Sequence, residues 1–134
     1  MEIKGKKYIL TDETITFDGH TLYRIKAIRP FGDIKKDDLG GFIESENNLD
    51  QHGEAWVYKN GRVYEEARVS DYAIVGNMVK ADWMIDDCTV VNGSARIIDN
   101  SRVLDGAKVS GFARIDGHAK IYEHASVAGT ALTD

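Results

Sequence analysis

Residues 107–127 read Ala107-Lys108-Val109-Ser110-Gly111-Phe112-Ala113-Arg114-Ile115-Asp116-Gly117-His118-Ala119-Lys120-Ile121-Tyr122-Glu123-His124-Ala125-Ser126-Val127. A small residue and an aliphatic residue stand two apart, and the pair returns every six positions. A spacing of two on one face marks a strand, because successive strand side chains point to opposite faces. A helix would place its apolar residues three and four apart. Working back, the pair recurs as Ser101/Val103, Ala95/Ile97, Thr89/Val91, Trp83/Ile85, Val79/Ala81, Ala73/Val75, Ala67/Val69, Gly61/Val63 and Ala55/Val57, and forward as Ala131/Thr133. The step is six throughout except between Val79 and Trp83, where it is four.

Two positions after each aliphatic residue stand Asp71, Asn77, Asp87, Gly93, Asp99, Asp105, Gly111, Gly117 and Gly129, with Lys59, Glu65 and Glu123 as exceptions. Gly, Asn and Asp are the residues that tolerate a positive φ, so each unit is a short strand followed by a corner. Three such strands close a triangular coil, with the aliphatic residues stacked along a narrow core. The expected fold is all-β, a hexapeptide-type parallel β-helix with a small N-terminal β cap. A period of five would have indicated a pentapeptide solenoid, and the chain does not carry it. If the four-residue step trims one side of one coil, residues 51–134 form a solenoid of about four and a half coils. At roughly 4.8 Å per coil it is about 20 Å long, and so short a solenoid needs its ends covered.

Residues 1–50 differ in kind and are expected to be that cap. Thr14-Ile15-Thr16-Phe17 alternates, Asp18-Gly19 is a hairpin turn, and His20 to Ile28 alternates again. Lys7-Tyr8-Ile9-Leu10 is a candidate third strand. Without a cover the first coil would expose unpaired backbone and core.

The chain has 134 residues, 43% of them hydrophobic and 29% charged, as in globular domains. No stretch approaches the length of a membrane-spanning helix, and the first residues lack the apolar core of a signal peptide. A lone cysteine, Cys88, excludes an internal disulfide framework and fits a cytoplasmic setting. The net charge of −5 argues against a general nucleic-acid or anionic-membrane binder, though not against a local basic stripe.

Three blocks carry a family resemblance: Leu22-Tyr23-Arg24-Ile25-Lys26-Ala27-Ile28 with Gly32-Asp33, Leu39-Gly40-Gly41-Phe42-Ile43-Glu44-Ser45-Glu46-Asn47-Asn48-Leu49, and Gly53-Glu54-Ala55-Trp56-Val57. With the repeats that follow, they resemble the YdcK-like β-solenoid repeat proteins of bacteria and their phages. The likeness runs from about Thr21 onward. The four-residue step and the positions of Trp83 and Thr89 depart from the pattern. The resemblance implies the fold and a bacterial or phage setting, and no catalytic residue. Handedness does not follow from strand physics. Resemblance to hexapeptide-repeat proteins in general implies a left-handed coil, against the usual crossover rule.

Several residues invite a chemical reading. His118 and His124 occupy equivalent corners, as zinc-binding histidines do on some hexapeptide-repeat enzymes. Six residues separate them by one side of the prism, so one chain cannot bring them together. Acyltransferases with this repeat carry a histidine on or near a protruding loop, whereas the irregularity here reads as a shortening. Cys88 has no His or second Cys near it in sequence. Asp71, Asp87, Asp105 and Glu123 would stack at one corner, where a hard cation or backbone N–H groups would meet them. Arg62, Lys80, Arg96 and Arg114 would form one basic column, and Arg68, Arg102 and Lys120 another. Asp82, Asp86 and Asp116 on the same strands would neutralise them.

The side with least charge would carry Trp56, Tyr58, Ile74, Gly76, Val90, Asn92, Lys108, Ser110, Ser126 and Ala128. Its candidate interface residues are Trp56, Tyr58, Ile74, Val90, Ser110 and Ala128, with Leu132 at the open last coil. Coverage by the cap is the competing explanation for their low charge. The expectation is a non-catalytic, self-associating scaffold or binding protein, a dimer or trimer, acting through a macromolecular partner such as a protein. It would use no cofactor and no metal, and neither membrane nor nucleic acid. The alternative is a hexapeptide-repeat acyltransferase.

Overall fold

A computed structural model of the chain describes residues 6–59, 61–76, 89–93, 95–99, 101–103, 107–111, 113–121, 125–128 and the backbone of 132–133. The strands in chain order are β1 (Tyr8–Phe17), β2 (His20–Ala27), β3 (Leu39–Ile43), β4 (Trp56–Val57), β5 (Gly61–Val63), β6 (Arg68–Val69), β7 (Ile74–Val75), β8 (Thr89–Val91), β9 (Arg96–Ile97), β10 (Arg102–Val103), β11 (Lys108–Val109), β12 (Arg114–Ile115), β13 (Lys120–Ile121), β14 (Ser126–Val127) and β15 (Leu132–Thr133). Among the described residues they form three sheets, ordered β1-β2-β3-β5-β8-β11-β14, β4-β7-β10-β13 and β6-β9-β12-β15. From β3 onward every pairing is parallel, and the chain visits the three sheets in rotation. The fold is all-β with parallel sheets. Among the described residues no helix is long and apolar enough to cross a membrane.

The two-residue period dictates the core. Ala55, Val57, Val63, Ala67, Val69, Ala73, Val75, Val91, Ala95, Ile97, Val103, Ala107, Val109, Ala113 and Ile115 are fully buried, as the inward pairs require. The corners behave as expected where they are described. Glu65, Asp71 and Asp99 have φ of 60, 63 and 59°, and Gly93, Gly111 and Gly117 have φ of 67, 66 and 64°. Val79, Ala81, Trp83 and Ile85 lie outside the described residues.

The register across that stretch differs from the expected one. Arg62 pairs with Val90, Ile74 with Arg102 and Arg68 with Arg96. Hydrogen bonds between these circuits link residues 28 positions apart, as from Asn92 to Tyr64, whereas Gly117 to Asp99 spans the regular 18. The irregular circuit is therefore lengthened, not trimmed. The two registers differ by two whole repeat units. The described inward residues stay inward under both, but each described residue after the break moves to another side.

The hairpin is joined to the frame through the pairing of β2 with β3. Asp18 and Gly19, with φ of 55 and 80°, make the tight turn between β1 and β2. β2 pairs antiparallel with β3, and β3 pairs parallel with β5, so the rotation through the sheets already begins at β3. Gly40 and Gly41 allow that entry. A Cβ on Gly41 would meet the carbonyl oxygens of Gly61 and Tyr58, and one on Gly40 would meet Val57 O and the Trp56 ring.

Side chains replace the rung that the first circuit lacks. Lys7 is fully buried and its Nζ donates to Ala55 O at 2.7 Å and Gly53 O at 3.2 Å. Tyr8 Oη donates to Leu49 O at 2.6 Å. Asn48 Nδ2 donates to Ala67 O and Glu65 O, while its Oδ1 accepts from Glu44 N and Ser45 N. Gln51 Oε1 accepts from Lys7 N and its Nε2 donates to Tyr8 O. Burial pushes the Lys7 ammonium down to about 8, with Asp50 opposing that shift.

Two substitutions test this architecture. Val109→Asp buries a carboxylate among apolar neighbours and should cost about 3 kcal/mol or more in thermal unfolding. An unchanged melting temperature would mean that Val109 does not face inward. Gly41→Ala, at the tight entry of β3, should cost about 1–3 kcal/mol by overpacking against backbone. Urea unfolding measures it, and wild-type stability would show that the approach is not tight.

Candidate functional site

The expected interface residues do not share one side. Trp56 and Ile74 lie on the sheet that also carries Arg102 and Lys120. Val90 lies on the sheet of Phe42, Arg62, Lys108 and Ser126, with Ser110 just past β11 and Ala128 just past β14. Leu132 falls on the sheet of Arg68, Arg96 and Arg114. The low-charge side is thus corrected, because the lengthened circuit redistributes its members.

Coverage by the N-terminal region accounts for two of them. Trp56 is 2% exposed, edge-on to Phe31 at 5.3 Å and to Tyr8 at 6.3 Å. Val90 is 6% exposed in a cluster with Leu22, Phe42 and Tyr64, against which Ile15 and Phe17 pack. Tyr58, Ile74 and Ser110 are half-buried and Ala128 is exposed.

The basic columns are regrouped as well. Arg62 leaves the column of Arg96 and Arg114, and Arg68 enters it. Asp71 is followed along its corner by Asp99 and Gly117, so Asp71 does not belong to the column that was expected for it. The Asp71 carboxylate accepts from Asp99 N at 3.0 Å, and the Asp99 carboxylate accepts from Gly117 N at 3.1 Å. These acids act as backbone acceptors between circuits. Lys80, Asp82, Asp86, Asp87, Cys88, Asp105, Glu123 and His124 lie outside the described residues. His118 and His52 are exposed. Among the described residues no group of three His, Cys, Asp or Glu side chains is placed to hold a metal ion.

The concentrated cluster of titratable groups is one that spacing did not reveal. His20 opens β2, directly after the Asp18-Gly19 turn. Its Nδ1 stands 2.9 Å from Glu44 Oε2 and its Nε2 3.2 Å from Glu65 Oε2. Each carboxylate uses its other oxygen on backbone: Glu44 Oε1 accepts from Glu65 N, and Glu65 Oε1 from Gly93 N, both at 2.8 Å. This explains why a glutamate occupies the Glu65 corner. The imidazole also tilts over the Tyr64 ring at 4.9 Å. Tyr64 Oη donates to Asp18 Oδ2 at 2.9 Å and accepts from Asn92 Nδ2 at 3.1 Å. Burial, helped by the Asp18 bond, pushes the Tyr64 hydroxyl up to about 12. Beside the cluster lies an open cleft of about 820 Å³, lined by His20, Glu44, Ser45, Asn47, Glu65, Glu66, Arg68 and Gly93.

Chemically this is a latch. An imidazole with a carboxylate at each nitrogen must donate from both, which only the cation does. The hydrogen bond that His20 donates to Glu44 and the charges of both glutamates raise the His20 pKa, and the same bond lowers that of Glu44. Neither imidazole nitrogen is left to take a proton from a substrate. The hairpin tip supplies Asp18 and His20, and the parallel circuits supply the other groups.

No protein-family model matches the chain, and no curated protein matches it.

The latch has a pH signature. The folded His20 pKa lies above its ordinary 6.5, so its stabilisation is complete below 6.5 and is lost as pH rises through the raised value. The Glu44 contribution has the opposite sense, present above its ordinary 4.5 and lost as pH falls through its lowered value. Amide protection factors along β1 and β2 should therefore fall as the solution passes above the His20 transition. His20→Asn should flatten that dependence, and an unaltered profile in the variant would remove the latch.

Proposed function

We propose that this protein is a non-catalytic scaffold that self-associates and binds a protein partner. In this reading the parallel strands of its three sheets form a left-handed, hexapeptide-type β-helix of the YdcK-like kind, working in a bacterial or phage-infected cytoplasm. The observation that carries it is the engagement of the chemistry-bearing groups. The His20, Glu44 and Glu65 side chains spend their nitrogens and oxygens on one another and on backbone N–H groups. Asp71 and Asp99 likewise tie one circuit to the next. Side chains used this way stiffen a frame and leave its outer faces for recognition. The half-buried Tyr58 and Ile74 and the exposed Ala128 remain candidates for the contact between copies, as a dimer or a trimer.

The lengthened circuit favours a second reading. Acyltransferases resembling this chain in repeat place functional groups on an insertion between circuits, and the pairing of Arg62 with Val90 leaves room in the sequence for one. Native mass spectrometry across concentration, with and without coenzyme A, separates the two. A discrete oligomer indifferent to the coenzyme is expected. Specific uptake would replace the scaffold with the acyltransferase and make His118 and His124 the first residues to substitute. A strict monomer would remove self-association.

A further inference from the structure

Parallel pairing sets Arg68 beside Arg96 and Arg96 beside Arg114, all three exposed. Rungs lie about 4.8 Å apart, so three guanidinium groups follow one another over about 10 Å. Like charges directly opposite in a ladder are unfavourable, and the column calls for anions. Within the chain Arg114 Nε meets Asp116 Oδ2 at 3.2 Å. Among the described residues Arg68 and Arg96 have no ion pair. The acids at the adjoining corner, Asp71 and Asp99, already accept from backbone N–H groups. At one end Arg68 lines the cleft that Ser45, Asn47 and the glutamates Glu44, Glu65 and Glu66 also line, so an acidic segment would meet the column from the Arg96 and Arg114 end.

We propose that Arg68, Arg96 and Arg114 form a docking strip for an extended acidic segment of a partner protein. The proposal rests on the reading of the chain as a scaffold for a protein partner and names the chemistry of that partner. The guanidinium fork takes a carboxylate through two parallel hydrogen bonds. Alternate side chains of an extended segment lie about 7 Å apart on one face, so two or three carboxylates match the length of the column. The net charge of −5 repels a long nucleic acid at a distance. A short run of carboxylates instead feels the local column, within a Debye length of about 8 Å at physiological salt.

The test is fluorescence anisotropy of a labelled short oligoglutamate peptide titrated with the full-length chain, at low and at high salt. A labelled single-stranded oligonucleotide serves as the competitor probe. Binding that weakens with salt is expected, with Arg96→Glu lowering affinity roughly three- to tenfold. Arg96→Gln, which removes the charge without adding another, should lower it less, and it keeps the test usable if the reversal disturbs folding. Arg102→Glu, on the neighbouring sheet, should have the smallest effect. Absence of peptide binding would overturn the strip. So would equal losses for Arg96→Glu and Arg102→Glu, which would report overall charge only. Tighter binding of the oligonucleotide would overturn the choice of partner. None of these results bears on the oligomer or coenzyme readout, so the strip and the scaffold reading fail separately.

Discussion

A parallel sheet hands each strand's backbone groups to the next strand, and the first strand has nothing before it. In this chain that constraint falls on the carbonyls of Leu49 and Ala55. Left unpaired and buried, each would cost about 1–3 kcal/mol. The N-terminal segment meets them with Tyr8 and Lys7, and Gln51 fixes the backbone from which those two side chains reach. Lys7 accepts the penalty of burial because an ammonium has three donors and needs no partner of defined direction. Its charge faces the Phe31 ring at 4.9 Å. The circuits begin cleanly because Tyr8, the first residue of β1, and Lys7 just before it are spent on closing them.

The hairpin has to be held in place for those two residues to act. Two different forces do this at its two ends. Near Lys7 and Tyr8 the hold is apolar, through Trp56 and Phe31. At the tip it is electrostatic, through His20 between Glu44 and Glu65, backed by Phe17 edge-on to Tyr64 at 5.9 Å. Arg24 and Arg62 lie over the Phe42 ring, which joins the β2–β3 side to the same surface. Residues before β3 and residues after it therefore form one packing unit.

How much of this can be read from residues alone depends on the range of the interaction. The inward pairs and the corners are local: a two-residue alternation and a positive φ are decided within six positions, and they are visible as Ala107/Val109 or Asp99. The side on which a residue sits is not local. It depends on the number of residues between one rung and the next, and the step between Val79 and Trp83 admits a trimmed circuit or one longer than that by two repeat units, with the same inward pattern. The columns of Arg62 and Asp71 were misgrouped for that reason. The His20 cluster was invisible for a related one, since its three members come from a hairpin, the end of β3 and a corner. A hint lay in the corner itself: Glu65 occupies a position where most units of the repeat carry Gly, Asn or Asp.

That exception points to how charge is used throughout the molecule. At the corners, carboxylates lie near the backbone and are consumed there, as with Glu65, Asp71 and Asp99. On the strands, long basic side chains stand outward in register, as with Arg68, Arg96 and Arg114. The acids are short and bound early, and the bases are long and reach solvent. A chain whose total charge is −5 can therefore present a positive column, because much of its negative charge near that column is already engaged in hydrogen bonds of the frame. The corner chemistry that makes the parallel stacking possible also leaves the arginine column with few internal partners, and this couples the architecture to what its surface can recognise.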